Sequence, residues 1–308
     1  MSVPKPILIA GPTASGKSAL ALSLAQEFGG VVINADSMQV YAELRILTAR
    51  PTPHDEQRAP HWLYGHVPAR EAYSAGRFVR DIHGALERAR DADLRPILVG
   101  GTGLYFKALL EGLSPVPEIP VDIRQRWRDL EAEQGAYAMW SVLMQRDPEM
   151  ALRLEPNDGQ RIVRALEVHE ATGKSLAHWQ RMASTPLIDP AEAIKLVIQP
   201  DRATLRARAN ERFSQMVAAG GAAEAEDLAA LNIDPSLPAM RAIGVAPLIA
   251  AARHEIALQT AIERGQTETR QYIKRQETWM RRYMMSWTSI ISQHMESLDQ
   301  KVIAFIKS

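Results

Sequence analysis

The first third of the chain alternates short apolar runs with stretches of helical periodicity. Apolar runs lie at residues 7–10, 31–34 and 96–99, and helical patterns occupy residues 18–28 and 75–90. Alternation of this kind is typical of parallel strands that are joined by crossover helices. The pattern therefore predicts an α/β protein in which a parallel sheet is flanked by helices.

The hydrophobic pattern changes after about residue 114. The stretch SPVPEIPVD (114 to 122) contains three prolines, which break regular structure. From residue 122 to about residue 182 the periodicity is only helical, with Ile123, Trp127 and Leu130 on one face. We therefore predict an all-helical insertion at residues 122–185, within a core formed by residues 1–121 and 186–308.

Later segments give further local expectations. Asn157 and Gln160 fit a capping box that opens a helix, and Thr172-Gly173 fits the end of that helix. The apolar run at residues 194–198 predicts a strand that returns to the sheet, followed by a helix at residues 203–219. We expect the remainder of the chain to be helical.

Composition narrows the classes of function. The chain has 308 residues, of which 46% are hydrophobic, and no cysteine, so disulfides, thiolate zinc sites and a cysteine nucleophile are excluded. Lys+Arg and Asp+Glu both total 36, so any nucleic-acid surface must be a local patch. The apolar stretch near the N-terminus is too short for a membrane or signal segment, and we expect a cytoplasmic protein without a membrane partner.

Residues 11 to 18 read GPTASGKS and match the pattern GxxxxGK[ST] between a predicted strand and a predicted helix. Backbone N–H groups of such a loop converge on phosphate, Lys17 reaches the outer phosphate, and Ser18 can hold Mg²⁺. The fold is thus expected to be P-loop NTPase-like. The predicted phosphate-binding set is Gly11, Pro12, Thr13, Ala14, Ser15, Gly16, Lys17 and Ser18. The loop alone leaves open whether phosphate is transferred or departs within a diphosphate.

The residues that follow the other strands bear on this choice. Phosphoryl-transfer enzymes with such a loop place a metal-orienting Asp at the end of a hydrophobic strand. Here the strand predicted at residues 96–99 is followed by Gly100-Gly101-Thr102 instead. The nearest carboxylate is Asp36, expected at the edge of the phosphate crevice just beyond the second strand. Asp36 suits a metal-orienting group or a base, but it fits a turn or helix cap equally well, as Thr102 fits a tight turn.

Basic residues and aromatic residues alternate near the C-terminus. Six cations and two acidic residues lie between residues 264 and 282, and Arg270, Lys274 and Arg281 share a helical face. This stripe could follow an RNA backbone, or it could be a solvated face over core aromatics, in which Trp279 packs rather than stacks on a base. Arg208 and Arg212 lie four residues apart and fit either a diphosphate clamp or a salt-bridged surface.

An ordered set of motifs resembles the tRNA dimethylallyltransferases over roughly residues 5 to 285. The motifs are GPTASGKS, NADSMQVY (34 to 41), TARP (48 to 51), YSAGRF (73 to 78), LVGGTGLYFKALLEGL (98 to 113), NDGQRIVRALEV (157 to 168), MRAIGV (240 to 245) and TRQYIKRQETWMRR (269 to 282). The sequence departs from the family at TARP, where TAKP is usual, at HWLYGHV (61 to 67) and at Val245.

The resemblance implies a reaction and its participants. It implies transfer of a dimethylallyl group from dimethylallyl diphosphate to N6 of adenosine 37 in tRNAs that read codons beginning with U, by a monomer that uses Mg²⁺. Asp36 would be the base, Arg212 would assist the leaving diphosphate, and Thr102 would help to hold donor and base. The implied tRNA-facing residues are Asp36, Ser37, Met38, Gln39, Gln160, Arg161, Ile162, Val163, Arg164, Arg241, Ala242, Ile243, Gly244, Val245, Lys274, Arg275, Gln276, Glu277, Thr278, Trp279, Met280 and Arg281.

Three other functions remain open at this point. An adenylate isopentenyltransferase would keep the phosphate loop and Asp36 but would not need a large RNA-gripping insertion. A small-molecule P-loop kinase fits the loop, but it lacks the strand-end Asp. An RNA-binding module with a vestigial phosphate loop would not need Lys17, Ser18 and Thr102 to be intact.

Overall fold

A computed structural model describes residues 4–182, 184–291 and 298–307. The chain divides into two compact units, which are described separately below. The first unit comprises residues 1–110 and 187–308, and the second comprises residues 111–186.

The first unit is built on a parallel sheet of six strands, counted over the described residues. The strands are β1 (Ile7–Ala10), β2 (Gly30–Asn34), β3 (His61–Trp62), β4 (Arg95–Gly100), β5 (Ile194–Ile198) and β6 (Thr288–Ile290), in the order β3-β2-β4-β1-β5-β6. Every neighbouring pair is parallel. The predicted α/β class with a parallel sheet flanked by helices is confirmed.

Helices account for most of the remaining chain. They are α1 (Lys17–Phe28), α2 (Pro53–Arg58), α3 (Ala75–Asp91), α4 (Gly103–Glu111), α5 (Val121–Arg146), α6 (Pro148–Ala151), α7 (Gly159–Thr172), α8 (Leu176–Arg181), α9 (Arg202–Met216), α10 (Ala222–Ala230), α11 (Val245–Ala252), α12 (Leu258–Tyr283) and α13 (Leu298–Lys307). Within the described ranges, none of these helices combines the length and the apolar composition that crossing a membrane requires.

The two faces of the sheet bury separate cores. In β1, Leu8 belongs to the core on one face, whereas Ile7 and Ile9 belong to the core on the other. This division follows from the alternation of side chains along a strand. Because both faces are covered, the strands read as continuous apolar runs, which is why the sequence pattern located β1, β2, β4 and β5.

The first unit departs from the sequence expectation at three places. The helix expected at residues 203–219 ends at Met216, and a π-helical turn (Val217–Gly221) follows, in which Gly220 has φ of 109°. The edge strands β3 and β6 were not predicted, because two or three residues are too few to show a period.

The described residues of the second unit form helices α5 to α8 around their own core. Trp127, Leu143, Ile162 and Leu166 are buried there, and Ile123 and Leu130 pack against this cluster, as the helical periodicity predicted. Helix α5 is interrupted at Gly135, which has φ of 81°. The Pro-rich stretch at residues 114–120 contains no helix or strand.

The predicted start of α7 is wrong by one residue. The N-cap is Asp158 rather than Asn157, and the Asp158 carboxylate accepts a hydrogen bond from Arg161 N at 3.4 Å. Asp and Asn are equally good N-caps, so adjacent candidates cannot be ranked from the sequence. The predicted end is confirmed, since Gly173 caps the helix in the left-handed conformation.

Candidate active site

Three loops that carry the predicted site residues lie at one edge of the sheet. Strands β2, β4 and β1 are consecutive neighbours and run in the same direction, so their carboxyl ends meet at this edge. The phosphate loop follows β1, Asp36 follows β2, and Thr102 follows β4. This is the edge at which open α/β sheets bind ligands.

The phosphate loop has the backbone shape that its glycines predict. Gly16 has φ of 89°, a conformation that strains residues with a side chain, and α1 begins at the next residue. Lys17 Nζ donates to Pro12 O at 3.3 Å, so this side chain folds back over the loop. Ser18 is exposed on the first turn of α1, and Ser15 Oγ is buried without a hydrogen-bond partner among the described residues.

Two cations and one carboxylate share the same electrostatic environment beside this loop. Burial lowers the pKa of Lys17 to about 8, against the opposing effect of Asp36 and with a smaller lowering by Arg212. Burial also lowers the pKa of Arg212, and Asp36 again opposes the shift. Burying two cations is unfavourable unless negative charge accompanies them, so this place favours an anionic ligand.

Asp36 is held in a side-chain-supported turn. Asn34 Oδ1 accepts from Asp36 N at 2.8 Å, and Asn34 Nδ2 donates to Asp36 O at 2.9 Å and to Leu63 O at 3.1 Å. One carboxylate oxygen of Asp36, Oδ1, accepts from Met38 N at 3.0 Å. Asp36 is therefore a turn residue, and its other oxygen, Oδ2, takes no part in that turn bond. Sequence reasoning missed Asn34, whose signal was its place as the first residue of NADS.

Thr102 connects the end of β4 to this turn. Its Oγ1 accepts from Ser37 N at 3.0 Å and donates to Ser37 Oγ at 3.3 Å. The phenol of Tyr272 lies close by. Its pKa is raised overall, mainly by burial and also by the charge of Asp36, while hydrogen bonds with Thr102 and Gln276 oppose part of the rise. The three sequence-predicted catalytic residues, Asp36, Thr102 and Arg212, are thus brought into one neighbourhood.

The missing strand-end carboxylate has a steric explanation. A Cβ atom at Gly100 would lie 2.0 Å from the backbone oxygen of Ala35, because β4 and the turn after β2 approach closely there. A Cβ at Gly101 would lie 2.1 Å from Gln276 Nε2. Neither position can carry the Asp of a phosphoryl-transfer enzyme without displacing its neighbours.

Gln276 and Trp279 of α12 both contact the chain just after β4. Gln276 is only 4% exposed, its Oε1 accepts from Thr13 N at 2.9 Å, and its Nε2 donates to Gly101 O at 3.0 Å. It therefore ties the phosphate loop to the end of β4. The Trp279 indole lies directly on Gly103 and its centroid is 4.3 Å from that of Tyr283, so the side chain packs within the protein, and its contact with RNA stays a prediction.

A cavity of about 210 Å³ lies next to Asp36. Arg212 and Tyr272 contribute polar groups to its wall, whereas Leu47, Phe213 and Met216 contribute apolar surface. Sequence reasoning did not assign Leu47, Tyr272, Phe213 or Met216 to the site. The only signal for Met216 was its position one helical turn beyond Arg212.

The residues predicted to face RNA differ in exposure. Exposed members are Gln160, Arg161, Arg241, Lys274, Arg275, Thr278 and Arg281. Buried members are Ile162, Val163, Ala242, Gly244, Val245, Gln276 and Met280. The remaining members are partly buried: Asp36, Ser37, Met38, Gln39, Arg164, Ile243, Glu277 and Trp279. The buried members offer no side chain to a partner, and the RNA contacts of all the others stay predictions.

The basic stripe of α12 faces the start of α9. A cleft of about 230 Å³ is lined there by Arg202, Arg206, Arg270 and Lys274. Arg202 pairs with Glu277 at 3.3 Å, and Arg270 Nη1 donates to Asn210 Oδ1 at 2.8 Å. Arg270 of the stripe is therefore engaged in a contact between the two helices, which neither interpretation of the stripe expected, while Lys274 remains exposed.

Two of the departures from the family pattern have structural roles. Arg50 Nη1 donates to Tyr41 O at 3.0 Å and to Ala42 O at 3.1 Å. A Cβ at Gly65 would lie 2.2 Å from the Arg50 guanidinium, which therefore rests directly on Gly65. Val245 is fully buried at the start of α11.

Comparison with known proteins gives consistent matches. A family model described as IPP transferase matches residues 39–283, and one described as Isopentenyl transferase matches residues 4–64. A tRNA dimethylallyltransferase of Chelativorans sp. is 53% identical over 274 residues, covering 89% of this chain and 94% of that protein. A protein of the same name from Agrobacterium fabrum is 53% identical over 285 residues, covering 92% and 96%.

Solved structures match over nearly the whole chain. The full-length tRNA isopentenylpyrophosphate transferase of Bacillus halodurans superposes with a TM-score of 0.71 at 28% identity, covering 98% of this chain and 95% of that one. A eukaryotic dimethylallyltransferase acting on tRNA superposes with a TM-score of 0.84 at 28% identity, covering 98% of this chain and 78% of that one.

Proposed function

This chain belongs to the IPP transferase family, and on that premise we propose that it transfers a dimethylallyl group from dimethylallyl diphosphate to N6 of adenosine 37 in tRNA, releasing diphosphate. We infer that the accepting tRNAs are those that read codons beginning with U. The observation that carries the proposal is the meeting of Asp36, Lys17 and Arg212 beside a partly apolar cavity at the carboxyl edge of the sheet.

The cationic side of this cavity suits the departing half of the donor. As the allylic carbon separates from diphosphate, negative charge grows on the leaving oxygens. Loop N–H groups, Lys17 and Arg212 would stabilise that charge, and because they are already placed, little reorganisation is needed. The loop would thus hold a leaving group rather than a phosphate that is transferred.

The carboxylate suits the acceptor. An exocyclic adenine amine is a weak nucleophile because its lone pair is delocalised into the ring. Asp36 would accept the N6 proton while the C–N bond forms. Its Oδ1 already accepts from Met38 N, which fixes the orientation of the carboxylate, so we assign proton acceptance to Oδ2. Thr102 supports this orientation through Ser37.

The apolar wall suits the isoprenoid. Leu47, Phe213 and Met216 would contact the hydrocarbon and limit the access of water to an allylic carbon with cationic character. A base within the anticodon loop can reach such a cavity only after it is extruded from its stack. The acceptor adenosine would therefore be flipped towards Asp36.

The residues present fit Mg²⁺. This ion requires oxygen donors and usually takes few of them from the protein, together with substrate phosphates and water. The exposed Ser18 hydroxyl on the first turn of α1 is such a donor beside the phosphate loop. When bound, Mg²⁺ would neutralise part of the charge of the diphosphate.

Exposed side chains support RNA as the acceptor. Lys274, Arg275 and Arg281 of α12 offer cations for phosphates, and Gln160 and Arg161 of the second unit are also exposed. We propose that both groups grip the anticodon stem-loop, and that the protein acts as a monomer in the cytoplasm. The relatives named tRNA dimethylallyltransferase support tRNA over a free adenine nucleotide. A kinase is disfavoured by the lack of space for a side chain at Gly100.

The test is incubation of the purified protein with dimethylallyl diphosphate, Mg²⁺ and unmodified tRNA, followed by mass analysis of nucleosides. AMP and ATP serve as parallel acceptors. We expect prenylated adenosine in tRNA and none in the free nucleotides. Modification of free nucleotides alone would favour an adenylate isopentenyltransferase, and phosphoryl transfer from ATP would favour a kinase.

A further inference from the structure

The loop at residues 44–51 forms part of the cavity wall. Leu47 and Thr48 of this loop line the cavity together with Asp36. Gln39, which lies three residues beyond Asp36, donates from Nε2 to Thr48 O at 2.8 Å and to Ala49 O at 2.9 Å. The loop and the turn that carries Asp36 are therefore joined through one amide.

The carboxylate of one residue, Glu224 in helix α10, holds this loop. Glu224 of α10 accepts from Arg45 N at 2.5 Å and from Ile46 N at 2.7 Å through Oε1, and from Leu47 N at 2.8 Å through Oε2. Three consecutive backbone N–H groups that converge on an anion form a concave binding geometry. Hydrogen bonds to an ionised acceptor are about twice as strong as neutral ones.

The segment before Glu224 brings α10 close to the loop. Helix α9 supplies Arg212, Phe213 and Met216 to the cavity, and the π-helical turn follows immediately. Within that turn, a Cβ at Gly221 would lie 2.9 Å from Leu47 Cδ2, so backbone and loop are in direct contact. One continuous segment thus lines the cavity and also fixes the loop that contributes Leu47 and Thr48 to it.

We propose that Glu224 is a positioning residue for the transfer reaction. Its carboxylate keeps Leu47 and Thr48 in the cavity wall and, through Gln39, supports the turn that presents Asp36. It does so without touching the reacting atoms. The inference rests on the proposed function, because it assigns Glu224 a role in that reaction.

If this carboxylate is lost, we expect water to enter the cavity and compete with the acceptor. A displaced wall would let water attack the allylic carbon: the water oxygen bonds to carbon, the carbon–oxygen bond to diphosphate breaks, and a proton passes to solvent. The products are dimethylallyl alcohol and diphosphate. Once the alcohol formed in a protein-free blank is subtracted, the ratio of alcohol to prenylated tRNA does not depend on how much of the protein is folded, so a mere loss of folded protein would not change it.

The experiment compares the full chain with three variants, using dimethylallyl diphosphate and unmodified tRNA. Glu224→Ala removes all three bonds. Glu224→Gln keeps one acceptor oxygen, which can take two of them. Glu226→Ala is the matched control, since Glu226 is an exposed carboxylate of the same helix. Both products, kcat, both KM values and the thermal unfolding midpoint are measured.

For Glu224→Ala we expect the ratio of alcohol to prenylated tRNA to rise at least about fivefold and kcat to fall about tenfold. Glu224→Gln should lie between this variant and the parent, and Glu226→Ala should match the parent. The KM for dimethylallyl diphosphate should stay within about twofold in all of them, because the phosphate loop is untouched.

An unchanged product ratio in both Glu224 variants would overturn the inference, even if their unfolding midpoints fell. If Glu224→Ala does not fold, Glu224→Gln decides the question. A parent protein that makes no prenylated tRNA would instead overturn the proposed function, so the two failures can be distinguished.

Discussion

Asp36 has a structural role in its turn and, in the proposed reaction, a chemical role as the base, and one substitution separates the two. Asn at this position keeps an oxygen that can accept from Met38 N, as Asp36 Oδ1 does at 3.0 Å, but it cannot take a proton. We expect Asp36→Asn to lower the rate constant of the transfer step by about 10²–10⁴-fold, the usual contribution of a general base. The measurement is single-turnover formation of prenylated adenosine.

The binding of tRNA should be nearly unchanged in this variant, as measured by filter binding. Asp227→Asn, at an exposed carboxylate of α10, is the matched control and should keep full activity. Turnover of the Asp36 variant at the parent's rate would show that the base is another group.

We expect Lys17 to make the proposed reaction dependent on pH. Because burial lowers the pKa of this ammonium to about 8, the free protein loses the cation as the pH rises through that value. We expect kcat/KM for dimethylallyl diphosphate to fall above pH 8, since this parameter reports the free protein. Measuring kcat/KM from pH 6 to 10 checks the prediction, and Lys17→Arg, which stays charged, should remove the decline near pH 8.

The same shift changes stability with a definite sign. The pKa of Lys17 is lowered from its usual value of 10.5 to about 8, so between these values the unfolded chain binds more protons than the native protein. The free energy of unfolding therefore receives from this group a contribution that increases as the pH rises from about 8 to 10.5. Lys17→Met should lack that increase when denaturation is measured across this range. An equal increase in both proteins would contradict the assignment.

At the level of elements, the site depends on the close approach of β4 to the turn after β2. Gly100→Ala would place a Cβ 2.0 Å from Ala35 O, and we expect it to lower the free energy of unfolding by about 1–3 kcal/mol. Gly84→Ala is the matched control, because nothing lies within 4 Å of a Cβ there. In the exposed interior of α3, that change should stabilise the protein by about 0.5–1 kcal/mol. Denaturation by urea measures both, and equal effects would contradict the packing argument.

Helix α12 sets the position of the phosphate loop through one side chain. Gln276→Met would leave Thr13 N and Gly101 O without their partner, at a cost of about 1–3 kcal/mol for each buried group that stays unsatisfied. We expect the KM for dimethylallyl diphosphate to rise, because the loop loses its fixed shape. Gln271→Met, at an exposed glutamine of the same helix, should leave KM unchanged. Equal KM values for the two variants would show that Gln276 does not position the loop.

Elements that bury a continuous or amphipathic face were predictable from the sequence. Strand β5 was predicted at its observed limits, and the helix expected at residues 75–90 is observed as α3 (Ala75–Asp91). Each of these elements contains enough consecutive residues for its hydrophobic pattern to be recognised. By contrast, β6 has three residues and is defined by its pairing with β5, which sequence periodicity cannot register.

The site was predictable where a motif specifies a local shape, and not where distant segments meet. GPTASGKS identified the phosphate loop, and the chain order located Asp36 and Thr102 at strand ends. Gln276 was expected to face RNA, but it is buried between two loops that lie more than 170 residues away in the chain. Contacts of this kind depend on the packing of α12 against the sheet, which no local pattern encodes.

At the scale of the whole molecule, the two compact units each expose cations that were predicted to contact one RNA. Arg161 of the second unit pairs with Asp158 at 3.2 Å, and its side chain is 70% exposed. Such surface pairs contribute little to stability, so substitution should not disturb the fold. Lys274 of the first unit is likewise exposed. If both bind phosphates of the same tRNA, the losses of binding free energy on replacing each residue should add.

Arg161→Ala and Lys274→Ala should each weaken tRNA binding and reduce the slope of log K against log salt by about 0.7–0.9, the value for one phosphate contact. In the double variant the losses of binding free energy and of slope should add, since separated sites without shared partners are independent. Arg253→Ala, at another exposed arginine, is the control and should leave the slope unchanged. Titration of labelled tRNA at several salt concentrations measures all four proteins. A double variant no weaker than Lys274→Ala alone would mean that the second unit does not grip the RNA, and the preference for tRNA would then depend on the first unit alone.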